Sequence, residues 1–260
     1  MTSFAKPVSQ FMRAPVHTVS VDSELSDVEK RLREHHISCL AVVGRDGKIA
    51  GVISHTDLLQ LGHVMARATG ARAALKLPEM CVGDVMTSKV IATTAQSTIA
   101  EASAMMVERA VHRLFVLEEQ RPVGVLSTRD VMRAVIEQHV ATPISHYMTS
   151  PVVTVRSEEP LSVATQRLYE SRVTGVVVLD GGAPAGVFTQ VEALEARELP
   201  ATTPVGDAVG YSMLCLPETT PLHRAANFAL ATNVRRVLVL DSPSLRGILT
   251  GLDFIRAAAV

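Results

Sequence analysis

The stretch GVISHTDLL, residues 51–59, returns as GVLSTRDVM (124–132), GVFTQVEAL (186–194) and GILTGLDFI (247–255). All four read glycine, two apolar residues, Ser or Thr, two variable residues, then an acid. An apolar run precedes each copy: Cys39 to Val43, Leu114 to Leu117, Val176 to Leu179 and Val237 to Leu240. Between run and glycine lie the turn-rich segments GRDGK, EEQR, DGGAP and DSPS, where Gly, Asp and Pro favour hairpin geometry. Further upstream stand MRAPVHTV from Met12, MTSKVIAT from Met86, MTSPVVTV from Met148 and VGYSMLCL from Val209. A period of this length with this many fixed offsets marks tandem structural repeats.

Within each period an amphipathic helix falls between the first and second strands. Leu25, Val28 and Leu32 recur at helical spacing in the first repeat, behind Asp22 and Ser23 as caps, and Leu222, Ala225 and Ala229 do so in the fourth. Each unit therefore reads β-α-β-β-α, an α+β design. A small three-stranded sheet with two helices on one face leaves its other face open, so the units are expected to pair through their sheets. Boundaries follow at 7–66, 81–139, 142–198 and 202–260, with 67–80 read as a helical linker because LGHVMARATGARAALKLPEM lengthens the first period.

Composition narrows the function. The 260 residues carry 25 basic and 26 acidic side chains, and no basic tail or aromatic-rich basic stretch, which argues against a nucleic-acid partner. No apolar run approaches the roughly 20 residues that span a bilayer, and the N-terminal stretch lacks a secretory signal's apolar centre; a cytoplasmic protein is expected. Cys39, Cys81 and Cys215 have neither disulfide nor zinc spacing, and His35, His36 and His55 lack H-x-x-x-H or H-x-H spacing, so no metal site is expected. Hydrolase, P-loop and dinucleotide motifs are absent. Met12, Met86 and Met148, at equivalent positions, read as core filler.

The repeats resemble cystathionine-β-synthase (CBS) domains, through the strand order, the terminal G-h-h-[ST]-x-x-[DE] signature and the M-T-S-x-V openings, in four copies over nearly the whole chain. The resemblance implies two pairs, or Bateman modules, formed by repeats 1 with 2 and 3 with 4. The pairs would close into an intrachain disc or meet a second chain as a homodimer. It further implies a regulatory protein that is not an enzyme, holds no cofactor, and reports AMP, ADP or ATP in inter-repeat clefts to a regulated partner protein. The alternatives are an interaction module without nucleotide, and a cleft for S-adenosylmethionine or a dinucleotide.

Carried over position by position, the resemblance places ribose on Asp57, Asp130 and Asp253, with Ser54, Thr56, Ser127 and Thr250 as hydroxyl partners. Taken by themselves, the same Ser/Thr-x-x-acid spacings are capping boxes, and that reading covers Glu192 as well. Glu192, one methylene longer, suggests a weak or empty site in repeat 3. At the start of the middle strand, repeats 2 and 4 carry His112/Arg113 and Arg235/Arg236, where repeats 1 and 3 have no cation. These pairs are the phosphate candidates, since Arg forms bidentate charge-assisted bonds. Arg129 joins them, because a cation in a first helical turn opposes the helix dipole and so suggests an anion nearby. Small Ser38, Thr174 and Gly175 at the cation-free positions would leave room for adenine.

Overall fold

The computed structural model describes residues 3–35, 37–54, 56–58, 61, 77–171, 173–196, 199–241 and 244–259. Four three-stranded sheets form, one per repeat, in the orders β1-β2-β3, β4-β5-β6, β7-β8-β9 and β10-β11-β12. In repeat 1 these are Thr18–Ser20, Cys39–Val43 and Ile49–Ser54, with helix α1 (Leu25–Glu34) between the first two. Repeat 2 opens with the short α2 (Val82–Val85), then β4 (Ala92–Thr93), α3 (Ile99–Glu108), β5 (Arg113–Glu118), β6 (Arg121–Ser127) and α4 (Thr128–Glu137). Repeat 3 comprises β7 (Thr154–Arg156), α5 (Leu161–Glu170), β8 (Gly175–Asp180), β9 (Ala183–Thr189) and α6 (Gln190–Glu195). Repeat 4 comprises β10 (Leu214–Pro217), α7 (Leu222–Ala231), β11 (Val237–Asp241), β12 (Ser244–Leu249) and α8 (Gly251–Ile255). The first two strands of each sheet run parallel across the helix and the last two form an antiparallel hairpin, as a strand-helix-strand crossover requires.

The helical periodicity is confirmed: Leu25, Val28 and Leu32 are buried, as are Leu222, Ala225 and Ala229. The expected caps of α1 are not. Its N-cap is Glu24 and no side chain caps it, because the backbone there is already paired: Glu24 bridges Cys81, and the Ser23 carbonyl accepts from the Val82 N–H. Asp22 turns outward to Arg45 at 3.0 Å instead.

That bridge belongs to a reciprocal exchange. The leader before repeat 1 pairs with repeat 2, through Val8 N–H to the Ser97 carbonyl and the Arg13 to Val125 bridge. The leader before repeat 2 returns to repeat 1, through Val82 to Ser23 and Thr87 to Val52. Repeats 3 and 4 do the same, with bridges Pro143 to Pro221, Thr149 to Ile248, Pro160 to Pro204 and Gly210 to Val187. Each leader carries one fully buried apolar residue, Val8, Val82, Ile144 or Val205. Val82 lies in the core of repeat 1, Val205 in that of repeat 3 and Ile144 in that of repeat 4. The open faces are thus closed by partner repeats, pairing 1 with 2 and 3 with 4.

Four residues beyond the buried plug stands Met12, Met86, Met148 or, before repeat 4, Val209. These lie on the signature glycines. A methyl group at Gly51 would meet Met86 Sδ at 2.5 Å and one at Gly186 would meet Val209 Cβ at 2.8 Å, while Gly124 and Gly247 lie against Met12 and Met148. The glycine that opens each copy of the signature is therefore the seat of the partner's leader, where any side chain would collide.

By proximity the chain divides into two compact units, one of Pro7–Thr98 with Arg113–Ser127, the other of Met1–Lys6, Ile99–His112 and Thr128–Val260. The first holds the sheets of repeats 1 and 2. The second holds repeats 3 and 4 together with α3 and α4, and within it α4 packs on α7 and α8. Most of the expected linker, residues 67–76, and His36 and His55 lie outside the described residues.

Candidate functional site

The signature hydroxyl and acid form the expected capping boxes. In repeat 1 the Ser54 N–H and hydroxyl both donate to Asp57 Oδ2, at 2.8 and 2.6 Å. In repeat 4 the Thr250 N–H and hydroxyl donate to Asp253 Oδ2, both at 2.7 Å. In repeat 3 the Thr189 N–H reaches Glu192 Oε2 at 2.9 Å and the Thr189 hydroxyl contacts the same oxygen. Each box satisfies N–H groups at a helix start that would otherwise be orphaned.

The acids differ in what else they do. Asp253 is buried, and its Oδ1 accepts from the Thr149 hydroxyl at 3.0 Å and lies 3.2 Å from Arg256. Asp130 is fully buried and pairs with Arg133 at 3.1 Å. Thr128, at the start of α4, lies against Gly251 at the start of α8, where a methyl would come to 2.6 Å of Thr128 Oγ1. Packing of those helices buries both carboxylates, so Asp130 and Asp253, expected to hold ribose, are bonded within the protein in this structure. Asp57 is half-buried, Thr56 beside it is exposed, and Glu192 is half-buried.

The arginines cross from one repeat to the other. Arg113, at the start of β5, donates through Nη1 to Cys39 Sγ at 2.8 Å and through Nη2 to Ser38 Oγ at 2.9 Å. Cys39 stands opposite Ser54 in the β2–β3 register, and Arg113 opposite Ser127 in β5–β6. A cation from repeat 2, a hydroxyl and a thiol from repeat 1 and the Ser54–Asp57 box therefore lie together.

The second pair repeats the arrangement. Arg236 Nη2 donates to the Thr174 carbonyl at 2.9 Å and to its hydroxyl at 3.1 Å. Its guanidinium lies on Gly175, where a methyl would meet Nε at 3.0 Å, and Gly175 stands opposite Thr189 of the next box. Burial pushes the Arg236 pKa down; the Glu192 carboxylate acts against that shift, and Arg235 adds to it. The small Ser38, Thr174 and Gly175, expected to leave room for adenine, thus receive a guanidinium.

The other basic candidates divide. Arg235 and His112 are exposed. Arg129 Nη2 points at the Leu230 carbonyl, 3.3 Å away near the end of α7, so a neighbouring helix C-terminus meets its charge. The carbonyl therefore offsets the cost of a cation in the first turn of α4. A cavity of about 400 Å³ between α4 and α7, lined by Ile136, His139, His223, Arg224, Asn227 and Phe228, contains none of the expected site residues. Among the described residues no cluster of three or more His, Cys, Asp or Glu side chains could hold a metal ion, and no helix is long and apolar enough to cross a membrane. Sequence reasoning missed the leader contacts; the apolar residue four places before each Met was the available signal.

The pattern of the CBS domain matches residues 8–63, 82–137, 144–199 and 205–260. The chain belongs to the CBS-domain family. Its four CBS repeats form two Bateman modules, each closed by leader exchange. Among curated proteins, an uncharacterized 33.4 kDa protein from the ribosomal RNA operon of Thermofilum pendens is 23% identical over 71% of this chain and 62% of its own length. The mitochondrial CBS domain-containing protein CBSX3 of Arabidopsis thaliana is 27% identical over 46% of this chain and 56% of its own. The chain thus spans under two thirds of either relative. Protein MJ1225 from Methanocaldococcus jannaschii superposes with a TM-score of 0.79 at 17% identity, covering 97% of this chain and 99% of that one. An uncharacterized conserved protein from Pyrococcus horikoshii gives 0.72 at 19% identity over 97% and 100%. At those identities the likeness establishes the fold alone.

Proposed function

We propose that this CBS protein is a regulatory module that binds an adenine nucleotide, AMP, ADP or ATP, and does no chemistry on it. The observation that carries the reading is Arg113 of repeat 2 lying on Ser38 and Cys39 of repeat 1, in register with the Ser54–Asp57 helix start. In this reading the phosphate draws Arg113 off its two neutral acceptors, a charge-assisted bond replacing weaker ones. The ribose hydroxyls meet Asp57 with Thr56 beside it. Among the described residues Asp57 Oδ1 has no partner, which leaves it able to accept. Ser38 then lies on the adenine side. His112, next to Arg113 in the chain, offers outer positive charge to the phosphates there, and Arg235 does so beside Arg236 in the second pair. Because ligand contacts come from two repeats, occupancy favours one relative placement of them, and a partner protein that prefers that placement reads the signal.

The test is thermal unfolding of the full chain with millimolar AMP, ADP or ATP. A ligand at 100 times its dissociation constant stabilises the fold by about 2.7 kcal/mol, so the melting temperature rises. Arg113→Ala abolishes most of the rise with AMP and leaves any rise with adenosine. If none of the three nucleotides moves the melting temperature, the motifs are caps alone and the chain is an interaction module.

A further inference from the structure

The cavity between α4 and α7 draws on side chains that neither candidate cleft uses. His139, His223, Arg224 and Asn227 line it with polar nitrogens, Ile136 and Phe228 add an apolar wall, and no Asp or Glu is among the described lining residues. On α7, His223 stands one turn before Asn227 and Arg224 one turn before Phe228, so the four share one side of the helix. His139 closes the other side from the turn that ends α4, where its backbone is left-handed at φ 53°. The two imidazole rings lie 5.6 Å apart between centroids. Their hydrogen bonds set their chemistry: His139 Nδ1 is 3.1 Å from the Glu137 carbonyl and His223 Nδ1 is 2.9 Å from the Val140 carbonyl. A carbonyl only accepts, so each Nδ1 carries the proton, and a second proton enters each ring at Nε2.

The charge there is unbalanced. His223 and Arg224 occupy the first turn of α7, which contains no acid, so they face the positive end of the helix dipole. Among the described residues no ion pair engages the Arg224 side chain. The acids of α4 are already taken, Asp130 by Arg133 at 3.1 Å and Glu137 by Lys6 at 2.7 Å. We propose that this cavity is a separate binding site for a small carboxylate with an apolar body. The carboxylate accepts from Arg224 and the Asn227 amide and draws a proton onto an imidazole, whose Nε2–H then donates to it. Two imidazolium charges this close repel one another, and an anion beside them offsets that repulsion. The apolar body rests on Phe228 and Ile136, in a space of the size that small ligands occupy. With one wall from repeat 2 and the other from repeat 4, the bound carboxylate ties α4 to α7.

Calorimetric titration of the full chain with benzoate tests this, with benzamide as the uncharged match and acetate as the anion without an apolar body. Benzoate is expected to bind once per chain, and benzamide and acetate about ten-fold more weakly or worse. Benzoate stays ionised between pH 7.5 and 5.5, and its affinity should rise about five-fold or more as pH falls across that range, because proton uptake by imidazole is linked to its binding. Arg224→Gln should weaken benzoate about ten-fold or more. His139→Asn, which keeps a residue suited to a left-handed turn, combined with His223→Gln should flatten the pH dependence. Arg224 and His139 are exposed, so Arg224→Gln and His139→Asn should leave the melting temperature unchanged, which shows that binding and not folding is lost. The site is overturned by benzamide or acetate binding as tightly as benzoate, by a benzoate affinity that Arg224→Gln leaves unchanged, or by no benzoate binding at millimolar concentration. None of these outcomes bears on nucleotide binding at Arg113.

Discussion

Repeats 2 and 4 carry the same hydroxyl-x-x-acid signature as repeats 1 and 3, yet the structure uses it differently. Asp130 and Asp253 are buried beneath packed helices. Asp57 and Glu192 are half-buried, each in the repeat onto which an arginine from its partner folds. One sequence signature therefore ends in a buried acid in the even repeats and in a half-buried one in the odd repeats. The signature alone predicts a helix start; what it does beyond that depends on which face the neighbouring repeat covers.

The contrast can be broken most forcefully at its acids. Asp253→Ala strands the Thr149 hydroxyl and the Thr250 N–H, and removal of a buried, fully bonded carboxylate should cost about 3 kcal/mol. Asp57→Ala removes a half-buried cap, worth about 1 kcal/mol, and should instead abolish nucleotide stabilisation. Denaturant midpoints of the two variants, with and without AMP, give the comparison. Equal loss of stability would show that the odd and even boxes do one job.

The glycine seats sharpen it next. Gly186→Ala meets the Cβ of the β-branched Val209, whereas Gly247→Ala meets chiefly the flexible end of Met148. Overpacking costs about 1–3 kcal/mol, and the first variant should lie nearer the upper end. Adding Met148→Ala to Gly247→Ala should restore part of the loss in a thermal melt, because the collision and its relief share one contact.

The smallest effect concerns the first pair alone. Burial, the stacked His35 ring 3.8 Å away and Arg31 all lower the His17 pKa from 6.5. A base held below its unfolded value binds its proton less readily when folded. Its contribution to stability is therefore present above pH 6.5 and lost as pH falls below it. Between pH 7.5 and 5.5 the unchanged protein should lose slightly more melting temperature than His17→Gln.

Much of this was legible in the chain. Four registered copies fix strand order, helix faces and pairing, because a period-2 or period-3.6 pattern reports which side of an element is covered. The alignment of basic pairs with small residues was also legible, but it was read as room for adenine, whereas Arg113 and Arg236 cross onto Ser38 and Thr174. What the sequence hid depends on distant packing. Burial of Asp130 and Asp253 arises where α4 meets α7 and α8, and no local pattern records that meeting. The caps of α1 were misread because a strand bridge from Cys81, over fifty residues on, had taken their place.

The leader exchange has a consequence for synthesis. The segment from Pro7 to Arg13 pairs with Ala95, Ser97, Thr98 and Val125, more than eighty residues later in the chain. At roughly 5–20 residues per second, repeat 1 waits several seconds or more on the ribosome with its open face unsealed. The plug that seals it, Val82, emerges before the acceptor of its own leader is complete. A single repeat therefore lacks its own seal, and the apolar sheet face of each repeat depends on a segment from its partner to cover it.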